Sequence, residues 1–202
     1  MKSALITVTS DGQGIIESLS MTERLGTEHN LDKKSVLHLR LLAEELFGML
    51  RGIAGDVEAS YWIEAEDKKF ELHMKSDVDM SLGMRDQFLS ASSSGKNEAA
   101  KGFMGKLRVM IANMLLSSDE PMPYAMIDAM STYSMAGISG DAVSVWSLSY
   151  YVDEIQRRMN EAKEAEEVWD ELEKSIVANI ADDIKVTIKG KNVEIVLFKS
   201  FN

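Results

Sequence analysis

The spacing of apolar residues along the chain changes several times, and each change predicts an element. Residues 4–9, ALITVT, are short and rich in strand-forming side chains, and Ser10-Asp11-Gly12 follows as a turn, so the chain is expected to open with a strand. Over residues 14–28 Ile15, Leu19, Met21 and Leu25 make a weak helical stripe, after which Asn30-Leu31-Asp32 supplies a stop and an N-cap. Residues 34–54, KSVLHLRLLAEELFGMLRGIA, carry the strongest signal: Leu39, Leu42, Ala43, Leu46, Leu50 and Ile53 recur at three- and four-residue steps, which predicts a helix laying one stripe on a core. Glycines from Gly52 to Gly55 end it.

The period then drops to two. Val57, Ala59, Tyr61, Ile63 and Ala65 alternate with polar residues and Trp62; Phe70, Leu72 and Met74 do the same across a turn at Asp67-Lys68. This predicts an antiparallel hairpin with one wet face, on which His73 is expected as an ordinary exposed strand residue. Residues 80–95 are less regular and end in a small-residue loop, SASSSG, suited to a lid. Residues 97–116 predict a helix with Phe103, Leu107, Met110, Ile111 and Met114 on one face and a basic patch of Lys96, Lys101, Lys106 and Arg108. Pro121 and Pro123 break the path, a short helix is expected over 124–133, and residues 141–181 read as helical, in one piece or two. Ile184, Val186, Ile188 and then Val193, Ile195, Leu197 alternate about Gly190-Lys191-Asn192, predicting a closing hairpin. No internal repeat is evident.

Composition narrows the function classes. A chain of 202 residues with 45% hydrophobic content is expected to form one domain, 1–202, with a helical insertion or lid at about 80–160. No apolar run approaches the length of a membrane span, and the start, MKSALITVTSDG, has no signal-peptide h-region, so a cytoplasmic address is expected. The absence of cysteine removes thiol chemistry, and His29, His38 and His73 form no paired ligand motif, so no metal site is expected. A net charge of -11 opposes a nucleic-acid partner. Within the central helix Glu45 and Met49 sit one above the other at the edge of the apolar stripe, which makes Glu45 a candidate general base or else part of a solvated flank with Glu44.

The order strand, helix, helix, hairpin, loop with helices, helix, hairpin resembles the Bergerat-type ATP-binding fold of the gyrase, Hsp90, histidine-kinase and MutL superfamily, and within it the bacterial anti-sigma-factor serine kinases. The local match is LRLLAEELFGMLRGI, residues 39–53, which looks like that superfamily's N-box helix. The resemblance implies an α+β fold, a two-layer α/β sandwich whose mixed, mostly antiparallel sheet is covered on one face by helices. It puts Glu45 at the catalytic position, where a glutamate acts on the attacking water. It puts Met49 where an asparagine would hold Mg²⁺, a departure that argues against efficient catalysis because a thioether does not replace an amide oxygen on a hard cation. Asp77 falls at the adenine-recognising aspartate, with Asp79 in place of the accompanying glycine. Gly95, Lys96, Gly102 and Gly105 answer to the phosphate-binding lid and helix start.

Two functions follow as expectations. One is a divergent ATP- or ADP-binding regulator, with weak or no catalysis, that acts on a partner protein such as a sigma factor or an anti-anti-sigma protein, as a monomer or a homodimer. The other is an interaction module that keeps the fold without nucleotide and binds a protein through a methionine-bearing insertion containing Met122, Met126, Met130 and Met135.

Overall fold

Alternating side chains in both predicted hairpins build a single sheet. A computed structural model of the chain describes residues 1–51, 57–78, 102–115, 143–158 and 163–202. Its elements are β1 (Ile6–Thr9), α1 (Ile15–Glu28), α2 (Lys33–Arg51), β2 (Glu58–Glu66), β3 (Lys69–Asp77), α3 (Gly102–Met114), β4 (Ser144–Ser147), α4 (Leu148–Arg158), α5 (Lys163–Lys174), α6 (Ile176–Ile180), β5 (Asp183–Lys189) and β6 (Asn192–Ser200). The fold is α+β, with a six-stranded sheet in the order β1-β2-β3-β6-β5-β4.

Every ladder among the described residues is antiparallel, not mixed as expected. The reason lies in the connections. Tight turns join β2 to β3 and β5 to β6, and the link from β1 to β2 runs through two helices, so the chain reverses once more than a single crossover helix would reverse it. The four-residue strand β4 is a second departure, since residues 141–181 read as helical. It pairs with β5 through Ser144 to Ser147, and three helices follow it.

Local chemistry explains the entry to the helices. Gly14 starts α1 at φ +72°, and a Cβ there would lie 2.0 Å from the Thr7 carbonyl oxygen, so no other residue fits. After α1 the chain turns at Asn30, φ 57°, while the Leu31 N–H donates to the Gly26 carbonyl and closes the helix end. Asp32 then caps α2, accepting from the Ser35 N–H at 2.7 Å.

The helices cover one face of the sheet. Leu39, Leu42, Leu46, Phe47 and Leu50 of α2 are fully buried, as are Tyr61, Ile63, Phe70, Leu72, Ile184 and Leu197 from the strands. Phe47 meets Tyr61 edge to face at 4.8 Å, and the Tyr61 hydroxyl shares a 2.8 Å hydrogen bond with Thr22 of α1. Burial holds the Tyr61 phenol far above its ordinary range, against the smaller opposing effect of Thr22. In the other half Trp146 of β4 is buried beside Phe103 of α3 and Tyr151 of α4, and Val177 of α6 is fully enclosed.

The strand order conceals a repeat. A strand, a helical connection and a hairpin, β1-α1-α2-β2-β3, are followed by β4-α4-α5-α6-β5-β6, and the two units meet antiparallel along β3 and β6. Both hairpins have two-residue loops whose first residue is left-handed, Asp67 at 52° and Gly190 at 57°. Matched through those loops, Tyr61, Ile63, Leu72 and Met74 correspond to Ile184, Val186, Ile195 and Leu197, all buried. The pseudo-two-fold passes through the middle pair of the central ladder, His73 and Val196.

Candidate functional site

Two groups of polar residues stand out, one on each side of the sheet. On the helix side, α2 carries Glu45, half-buried, one turn before Met49, which is 3% exposed and packed into the core. Arg108 of α3 is also buried, and its guanidinium approaches α2 at Gly48, where an added Cβ would stand 3.5 Å from Nη2. Burial lowers the Arg108 pKa, and the Glu45 carboxylate opposes that by its charge. The Arg108 guanidinium of α3 thus faces α2, with the Glu45 carboxylate close enough to act on its charge. Gly102 opens α3 and Gly105 is buried within it. Gly95, Lys96 and Asp79 lie outside the described residues, as do Met122, Met126, Met130 and Met135.

Asp77 is elsewhere. It is exposed at the end of β3, where it accepts a 2.9 Å hydrogen bond from the Asn192 side chain, its ladder partner on β6. Inward-facing residues on this strand are Phe70, Leu72, Met74 and Ser76, followed by Val78; Asp77 stands with Glu71, His73 and Lys75 on the outer face. Glu45 and Asp77 thus lie on opposite sides of the sheet and do not converge. The signal was in the alternation itself: continued three residues beyond Met74, it already assigns position 77 to the wet face, whereas matching a motif by order along the chain ignores which way a strand residue points.

The outer face holds a group that periodicity alone does not reveal. His73 is not exposed but 9% accessible, with its ring stacked on Trp62 at 4.7 Å and 9°. Its Nε2 lies 3.5 Å from Glu71 Oε2 and its Nδ1 lies 3.5 Å from Glu194 Oε1; neither ring nitrogen makes a hydrogen bond. Glu71 and Glu194 are equivalent residues of the two halves. Glu64 completes the cluster: ligand-type atoms of Glu64, Glu71 and His73 all fall within 4.8 Å of one another. Glu64 Oε1 accepts from Lys2 Nζ at 3.0 Å and from the Trp62 indole N–H at 3.1 Å, bonds that hold its carboxyl below the usual range, with Lys2 the larger influence. Lys2 also lies over the Trp62 ring at 4.7 Å. Long side chains from neighbouring strands thus bury a residue that alternation assigns to solvent.

No helix among the described residues is long and apolar enough to cross a membrane. The sequence matches no protein-family model and no curated protein.

Proposed function

We propose that this chain is a regulatory protein-interaction module on a histidine-kinase-like layered framework, acting by binding a partner protein and not by turning over ATP. The observation that carries this reading is the placement of Asp77 on the face of the sheet opposite Glu45. A nucleotide spans base to γ-phosphate as one ligand, so residues serving its two ends must border a single cavity. Met49 in the core supports the same reading, because the position four residues after the acid offers no oxygen to Mg²⁺. By the resemblance, the partner belongs with sigma factors and anti-anti-sigma proteins. Its contact surface is the methionine-bearing stretch from Met122 to Met135, where unbranched thioethers adapt to an apolar partner.

A second reading has one arrangement in its favour. Glu45 and the buried Arg108 guanidinium sit where α2 meets the helix that begins at Gly102, so ATP or ADP could be held on the helix side by a cation and a helix N-terminus.

Thermal shift with ATP and ADP, each with and without Mg²⁺, separates the two. Nucleotide at a hundredfold excess over its Kd would add about 2.7 kcal/mol, which for a chain of this size raises the melting temperature by about 5–10 °C. The interaction-module reading expects flat curves at millimolar nucleotide. A rise abolished by Arg108→Met would establish the second reading instead. Photo-crosslinking from positions 126 and 130 in host cells tests the partner surface: one protein species, lost when Met122 and Met135 are replaced by Gln, is expected, and no species above background would overturn it.

A further inference from the structure

We propose that Glu64, Glu71 and His73 form a binding site for a divalent transition-metal cation on the outer face of the sheet, with Glu194 orienting the imidazole. The site is independent of the interaction-module reading, since it uses none of the residues on which that reading rests.

The chemistry begins with His73. A neutral imidazole has one N–H and one lone pair, yet here each ring nitrogen faces a carboxylate oxygen at 3.5 Å, in a residue only 9% exposed and without a hydrogen bond at either nitrogen. Whichever nitrogen carries the hydrogen, the other turns a lone pair towards a carboxylate. A lone pair turned on a carboxylate calls for positive charge between them, from a second ring proton or from a metal ion, and the third donor beside the Nε2–Glu71 pair, Glu64, points to the metal. The spacing matches that need: 3.5 Å is long for an N–H···O hydrogen bond, while tetrahedral ligands at ordinary zinc distances stand ~3.3 Å apart. Glu64, whose carboxylate lies within 4.8 Å of the other two donors, provides the third ligand.

The surroundings resemble the outer shell of a metal site. With the ring hydrogen on Nδ1, on the Glu194 side, the Nε2 lone pair faces Glu71, the carboxylate–histidine–metal relation that fixes tautomer and raises ligand basicity. Trp62 holds the imidazole by stacking and Glu64 by its indole N–H. One imidazole nitrogen with two carboxylates selects Zn²⁺, Co²⁺ or Mn²⁺ over Mg²⁺ and Ca²⁺, which favour all-oxygen shells. One group opposes the ion: the Lys2 ammonium bonded to Glu64. Its side chain is 59% exposed and is free to swing into water when a metal displaces it.

The test uses the full chain after treatment with chelator. Calorimetric titration with ZnCl₂ is expected to show one saturable equivalent per chain, and Co²⁺ to give visible absorption bands that saturate at the same ratio and disappear on adding Zn²⁺. Binding should weaken at least tenfold in His73→Gln and in Glu71→Gln, survive unchanged in Glu58→Gln on the same face, and tighten in Lys2→Ala. Glu71 is half-exposed, so its variant reports on the site even if His73→Gln fails to fold. The proposal is overturned by the absence of saturable heat, by binding indifferent to Glu71→Gln, or by displacement of Co²⁺ by an equal concentration of Mg²⁺ or Ca²⁺.

Discussion

Neighbouring residues on β2 show how the two faces of this sheet differ. Tyr61 points to the helices and is wholly buried among Phe47, Thr22 and the other core side chains. Trp62 points the other way, and its 9% exposure is achieved by a histidine, a lysine and a glutamate lying over and beside it. Burial on the first face is made by apolar packing in a dense interior, where every lost methylene leaves a cavity. On the second it is made by charged side chains whose heads remain near water, where loss of any one is largely repaired by solvent. Comparable burial therefore does not mean equal contribution to stability.

Substitutions ranked by expected effect test this contrast. On the helix face, Leu72→Ala should cost about 2–5 kcal/mol through lost transfer energy and a residual cavity, measured by urea denaturation; a cost below about 1 kcal/mol would mean that the core relaxes around the gap. Tyr61→Phe should cost about 1 kcal/mol, since Thr22 keeps its bond to the Ser18 carbonyl. The same tyrosine has its pKa raised by burial, so the stability it contributes is complete below its unfolded pKa of 10.0 and is lost as pH rises beyond that. In alkaline absorbance titration one of the five tyrosines should accordingly stay protonated until the chain unfolds.

Asp182 gives a smaller effect with the opposite sign. Burial alone would raise its pKa, but the bonds from Lys199 at 2.9 Å and the Ser200 N–H at 2.6 Å outweigh that, and the net shift is downward. Its contribution is present above the ordinary 3.8 and disappears as pH falls through the lowered value, so Asp182→Asn should narrow the stability difference between pH 7 and acid. An unchanged pH profile would show that the two bonds do not differ between folded and unfolded chains. Smallest of all, Lys2→Ala on the outer face should alter stability by no more than about 0.5 kcal/mol. A larger loss would place the outer cluster on the same footing as the core.

Much of this arrangement was legible in the sequence. The period of two in residues 57–74 and 184–197 identifies both hairpins and their inward faces, and the stripe from Leu39 to Leu50 identifies α2, because burial on one side imposes those patterns directly. Four things escaped. The strand β4 is only SVWS directly before a helix, too short for period to distinguish it. The repeat is hidden because the halves share burial rather than identity, with Tyr61 opposite Ile184 and Leu72 opposite Ile195. The burial of His73 depends on side chains from three strands that converge only in the sheet, and the separation of Glu45 from Asp77 depends on a strand's facing, which a motif read along the chain does not encode.

The join between the halves carries a consequence for how the protein forms. The ladder between β3 and β6 ties residues near position 73 to residues near 196, a pairing that cannot begin until most of the chain is present. Severed from the second half, β3 would expose a full row of backbone donors and acceptors, an invitation to aggregation. The polypeptide should therefore acquire its structure late and all at once, and limited proteolysis of a truncated version ending before β4 should find no protected fragment.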